Sequence, residues 1–154
     1  MVNLHKIIVF TLDGQRCGIP LEAVERVVAM VEITPLPGVP AFVCGVINVQ
    51  GEIVPVVDLR RRFGLPERRI ELDDQLIITR FSGRCMALMA DTTQGVCACR
   101  QEEVTSADDI LSGLPFLAGI ARLCDGLILI HDLEQLLSSQ ESEIIMTAMA
   151  RELS

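Results

Sequence analysis

The chain of 154 residues has no Trp, no Tyr and only five Phe. Its core must therefore be assembled from Val, Ile, Leu, Met and Ala, and it offers few rings on which nucleic-acid bases could stack. An excess of positive charge is also missing. With 13 Lys and Arg against 21 Asp and Glu, the net charge is −8, which speaks against nucleic acid and anionic membrane surfaces as partners. No apolar run reaches the roughly 18 residues of a membrane span. The opening "MVNLHKIIVFTLDG" lacks a charged start followed by a cleavable apolar segment. A single cytoplasmic domain with no direct membrane insertion is the expectation.

The spacings that announce chemistry are absent too. No GxGxxG, GxxxxGKS, GxxxxGKT, HExxH or GxSxG occurs. Six cysteines (Cys17, Cys44, Cys85, Cys97, Cys99, Cys124) include no C-x-x-C pair and no second pair at zinc spacing. They read as reduced core residues, so neither metal nor cofactor is expected, and no catalytic residue stands out. His5 precedes the first strand and His131 sits in the last, where the other copy of the pattern described below has Val57. A buried or rim imidazole is the simpler reading of both. A thiol-dependent or ligand-binding enzyme using Cys97/Cys99 or His131 is the alternative from another class.

What the chain does have is repetition, the first thing to look for in a sequence. Moved by 69 positions, "IIVFTLDGQRCGI" falls on "LIITRFSGRCMAL", with Gly14 on Gly83 and Ile19 on Leu88. Moved by 74, "GVINVQGEIVPVVDL" falls on "GIARLCDGLILIHDL", with Gly45 on Gly119, Asp58 on Asp132 and a one-residue slip of the turn glycine. Both halves thus read strand–turn–strand, middle segment, strand–turn–strand, capped helix. Strands are expected at 6–12, 16–20, 42–49, 52–57, 76–81, 84–90, 118–124 and 127–131, with less regular ones near 28–33 and 95–100. Each half is near the size at which a lone core is marginal, so a shared core between them is expected.

Other features follow from local chemistry. Asp58 and Asp132 stand where strands give way to helical patterns and read as helix caps, the second with Gln135 as a capping box. Pro55 cannot donate a ladder bond, which puts its strand at an edge there or bulges it. "TPLPGVPAF" is a stiff extended loop, and "GLPERRIELDDQ" reads as a linker. Arg60, Arg61 and Arg62 with Arg68 and Arg69 read as a solvated helix face and linker. In the tail, Ile145, Met149 and Leu153 share a helical face that packs on the body.

The stretches "FTLDGQRCGIPLEAVERVV", "ITPLPGVPAFVCGVINVQGEIVPVVDLRRRFG", "MALMADTTQGV" and "GLILIHDLEQLL" resemble the CheW family of chemotaxis coupling proteins over residues 5 to 138. The resemblance implies a mainly all-β fold: two small five-stranded SH3-like β-barrels packed side by side, with short capping helices and a C-terminal helix. It implies one CheW-like domain over 1–154, with internal subdomains roughly 14–65 and 76–138 and terminal segments able to cross between them. It also implies a non-catalytic, cytoplasmic adaptor of bacterial two-component signalling. Its partners would be the regulatory domain of a chemotaxis histidine kinase and the cytoplasmic tip of a chemoreceptor. Carried onto this chain, the docking residues are Val24, Arg26, Val27, Val28, Ile33, Gly45, Asn48, Gln50 and Gly51. Several departures are visible. The family usually has Glu where this chain has Arg26 and Arg where it has Gln50. The stretch before Gly119 is shorter than in many members, and Cys17 replaces an aromatic. An adaptor of a chemotaxis-like pathway, serving surface motility or second-messenger control, is the runner-up.

Overall fold

The computed structural model describes residues 4–71, 73–106 and 116–153. The first half gives β1 (Leu4–Leu12), β2 (Gln15–Pro20), β3 (Val24–Ala29), β4 (Val43–Val49), β5 (Glu52–Asp58) and the one-turn helix α1 (Leu59–Arg62). The second gives β6 (Gln75–Phe81), β7 (Arg84–Ala90), β8 (Thr92–Arg100), β9 (Val104–Ser106), β10 (Leu117–Leu123), β11 (Gly126–His131) and α2 (Leu133–Leu136), followed by α3 (Ser139–Leu153). The expected strands are present. The two less regular ones begin earlier than their apolar pattern suggests, and β9 adds a short strand that no pattern announced. The shortened stretch before Gly119 falls largely on 107–115, and Leu153 ends α3; that stretch and the Leu153 side chain lie outside the described residues.

Three hairpins carry the turns that strand twist favours. Asp13-Gly14, Gln50-Gly51 and Ser82-Gly83 all have positive φ at both central residues. The β4–β5 and β10–β11 turns both have two residues, since Val49 pairs with Glu52 and Leu123 with Gly126. The register of the two copies therefore does not slip at all; only the glycine moves, from the turn itself to the first position of β11.

The hydrogen-bonded order is β3-β6-β7-β5-β4 in one sheet and β8-β1-β2-β11-β10-β9 in the other. Each half lends its opening hairpin to the other half's sheet, so a cut between residues 65 and 76 does not separate them. Four pairings make the exchange, the antiparallel β1 with β8 and β3 with β6, and the parallel β5 with β7 and β2 with β11. Pro55 pairs only with β4, one residue before the ladder to β7 begins at Val56, which is where a residue without an N–H is tolerated.

Each sheet curls around its own apolar cluster. Ile47, Val54, Val56, Leu76, Ile78, Ala87 and Met89 fill the first barrel, and Ile7, Val9, Cys99, Ala121, Ile128 and Ile130 fill the second. The opposite faces of the same strands meet in a third cluster between the barrels. There Ile8, Phe10 and Ile19 of one sheet pack with Val57, Ile77 and Leu88 of the other, and with Leu133, Leu136 and Ile145 of the helices. This is the shared core that two marginal halves require.

The arginine run is not a solvated face. Consecutive helical residues point about 100° apart, and on α1 each finds a different neighbour. Arg60 is buried, donating through Nε and Nη2 to Asp91 at 3.0 and 2.6 Å and through Nη1 to the Pro66 carbonyl at 3.0 Å. Arg61 stays exposed beside Asp58 and Glu67. Arg62 donates through Nε to the Leu136 carbonyl at 2.8 Å and through both Nη atoms to Glu141 at 3.1 and 2.9 Å. Its guanidinium also lies over the Phe42 and Phe116 rings, 4.3 and 4.6 Å from their centroids. The linker is tied down as well: Arg68 bonds Asp74 at 2.7 Å and Asp91 at 2.9 Å. Arg62 thus joins α1, α2, α3 and two loops. Arg62→Met is expected to cost about 2–3 kcal/mol, because Glu141 and the Leu136 carbonyl lose their partner in a mostly dry site. Urea unfolding of the variant beside Arg62→Lys checks this; Lys, with no planar fork, should restore little.

Candidate partner-docking face

The sequence-predicted docking residues fall on β3, the segment after it and the β4–β5 hairpin, and the structure divides them by exposure. Arg26, Asn48, Gln50 and Gly51 are exposed. Val24 and Val27 are half-buried against the inter-barrel core, and Val28 and Ile33 against the first barrel's interior. Gly45 is buried. A Cβ there would meet the Thr34 carbonyl oxygen, and one at Gly119 would meet the Thr105 carbonyl oxygen. The glycine repeated at both sites is where the incoming segment crosses β4 or β10, with Thr34 bridging Val46 in one copy and β9 pairing with β10 in the other.

The turn is rigidly built. The Asn48 side-chain oxygen accepts the Gly51 N–H at 2.8 Å, inside the Gln50-Gly51 turn. At the other end of β5, Asp58 accepts the N–H groups of Arg60 and Arg61, at 3.0 and 3.4 Å. In the second copy Asp132 accepts the Glu134 N–H at 3.0 Å, and Gln135 meets it only through the backbone, its N–H donating to the Asp132 carbonyl.

Sequence reasoning did not single out Arg80 and Glu52. Arg80 Nε donates to Glu25 at 2.6 Å, and its Nη2 donates to both Glu52 oxygens at 2.8 and 3.0 Å. Its hydrogen bonds to these carboxylates, Glu25 first, raise the guanidinium pKa further and keep it charged. Glu25 is free to reach Arg80 because the β3–β6 register shifts between Val24 and Arg26. The one available signal was an arginine closing the apolar strand "QLIITRF" where the other copy has Thr11.

The residues of the enzymatic alternative do not assemble into a reactive centre. Cys97 and Cys99 lie on one face of β8 with sulfurs 3.9 Å apart. Burial pushes the Cys99 thiol up to about 11, and Cys17 to about 12, away from the thiolate that nucleophilic chemistry needs. His131 is buried and stacked on Phe63 at 4.5 Å, and neither ring nitrogen makes a well-formed hydrogen bond among the described residues. Burial lowers it to about 4, with the Phe116 backbone opposing that only in part. Among the described residues no group of three or more His, Cys, Asp or Glu is arranged to hold a metal ion.

A family model described as a CheW-like domain matches residues 6–141. The chemotaxis protein CheW of Treponema pallidum is 28% identical over 142 residues, covering 88% of this chain and 84% of that protein. The CheW of Bacillus subtilis is 33% identical over 105 residues, 68% of this chain and 67% of its own. Among solved structures, the scaffolding protein TtCheW from Thermoanaerobacter tengcongensis matches with a TM-score of 0.82 at 31% identity, over 90% of this chain and 96% of that one.

Two expectations follow from this geometry. Gly45→Ala has no room beside the Thr34 carbonyl and is expected to destabilise the fold by about 2 kcal/mol or more, read as a lower urea midpoint; an unchanged midpoint would count against the close crossing. His131 makes stability fall with acid. The unfolded imidazole takes up a proton near pH 6.5, while the folded one resists until about 4, so stability is lost as pH drops through that window, by about 3 kcal/mol in all. Urea midpoints at pH 7, 5.5 and 4 should show this slope in the native chain and lose most of it in His131→Leu.

Proposed function

Because the chain belongs to the CheW-like domain family, we propose that it is a chemotaxis coupling protein that joins chemoreceptors to a histidine kinase without chemistry of its own. The observation carrying this reading is the preformed, exposed Asn48–Gly51 turn, linked through Arg80 to β3, an end strand of its sheet order with no ladder partner on its other edge among the described residues. A free edge linked to a rigid turn suits docking of another sheet, and the regulatory domain of the kinase is the occupant proposed for it. The family resemblance implies a second docking surface, at the junction of the barrels, for the receptor's helical tip. In keeping with a cytoplasmic adaptor, no helix among the described residues is long and apolar enough to cross a membrane.

Exposed Arg26 and Gln50 bear on partner choice, since an acid and a base are usual at these places in the family. A calorimetric titration against the regulatory domain of the kinase encoded nearest to this chain, repeated with Arg26→Glu/Gln50→Arg, tests the reading. Native binding at micromolar Kd or tighter, about −8 kcal/mol, is expected. Binding only by the double variant would assign the face to another pathway's partner. No binding by either would defeat the kinase role.

A further inference from the structure

We infer that Arg80 is a specificity-determining residue of this docking face, acting by tying Glu25 of β3 to Glu52 of β5 across the mouth of the first barrel. The inference rests on the docking role proposed above and names the residue that orients its two halves.

Arg80 stands in the inward-facing row of β6, after Leu76 and Ile78, both of which lie in the first barrel's interior. Its backbone partner across β7 is Cys85, packed against the same cluster. The stem therefore continues the apolar row while the guanidinium emerges at the barrel's open end. Strands β3 and β5 are not neighbours; β6 and β7 lie between them in the sheet. Backbone ladders therefore do not fix β3 directly against the β4–β5 turn, and the Arg80 side chain does. One of its carboxylates sits in the β3 register shift beside Arg26, and the other immediately follows Gln50-Gly51. Among the exposed predicted docking residues, Arg26 adjoins the first carboxylate in sequence, Gly51 adjoins the second, and Gln50 and Asn48 belong to the same turn as Gly51.

The second barrel shows that the strand ladders do not demand such a tie. There Thr11 takes the place of Arg80, and Arg16, aligned with Cys85, meets Asp125 at 3.3 Å instead. Nor does stability demand it. The side chains of Arg80, Glu25 and Glu52 are 42, 39 and 48% exposed, and ion pairs in that setting add little to folding. Holding two surface segments in one relative position is what such a cluster contributes to binding, because a preorganised face has less to order when its partner arrives.

The test compares the native chain, Arg80→Met, and the reversed cluster Glu25→Arg/Arg80→Glu/Glu52→Arg. The kinase regulatory domain is the titrant, with Tm and amide exchange measured on each free protein. Arg80→Met is expected to keep its Tm, to speed exchange at Gln50, Gly51 and Glu52, and to bind about tenfold or more weakly. The reversed cluster should slow exchange again and recover most of the affinity, since the tie is restored with opposite charges. Native-like binding by Arg80→Met would overturn the inference and leave the coupling role standing. Slowed exchange without recovered binding would overturn it too, by making Arg80 a direct contact. No binding by the native chain would remove both.

Discussion

Two short parallel ladders commit the molecule to its shape. In one, Val56, Val57 and Asp58 of β5 lie along Ala87, Leu88 and Met89 of β7; in the other, Cys17 and Gly18 of β2 lie along Leu129 and Ile130 of β11. They are the same contact in two copies, Val56 with Ala87 and Ile130 with Gly18. One partner at each crossing, Ala87 or Gly18, is small because the barrel interior is full: a Cβ on Gly18 would stand 2.8 Å from Ile7 Cδ1. With the antiparallel β3–β6 and β1–β8 ladders on the far sides, each parallel ladder inserts one half's hairpin into the other half's barrel, so neither barrel closes without residues from both. The inter-barrel cluster of Phe10, Ile19, Ile77 and Leu88 is then the reverse side of strands already committed to two interiors.

Arginine does inside this acidic protein what aromatics do in others: it fills junctions and gives them direction. Asp91 shows the balance of forces. Burial pushes its carboxyl up, but hydrogen bonds from Arg60, the Asp13 N–H and Arg68 outweigh that and bring it to about 2. A carboxylate so placed stays ionised through the physiological range and holds the N-terminal hairpin, α1 and the linker to the end of β7. Arg62 does the corresponding work for α2 and α3, with Phe42 and Phe116 supplying the faces on which it rests.

Much of this was legible in the sequence because it depends on neighbours along the chain. Turn glycines, Asp58 before an apolar–polar switch, and Gly45 repeated as Gly119 each report a local conformation. The exchange of hairpins was not legible, since a repeat reveals a unit and not the unit it pairs with. Nor was the fate of Arg60 to Arg62, because a four-residue helix has no face, only directions. The β3 register shift breaks the alternation that marks a strand, which is why its pattern pointed to 28–33 and the strand runs from Val24 to Ala29. On the proposed docking face, the exposed turn was readable from Asn48 to Gly51. The cation beside it was not, for Arg80 reaches its partners across strands that lie far apart in sequence.

The exchanged hairpins also set a timetable for synthesis. β1 and β2 leave the ribosome before the other strands, yet the strand that pairs with β2 ends at His131. At about 5–20 residues per second, the first hairpin waits roughly 5–20 s for its companion. During that interval Ile7 and Val9 have no finished barrel to enter, and Phe10, Leu12 and Ile19 have no second barrel to pack against. The β2 edge of the first hairpin is thus unpaired for some seconds after β1 has met β8.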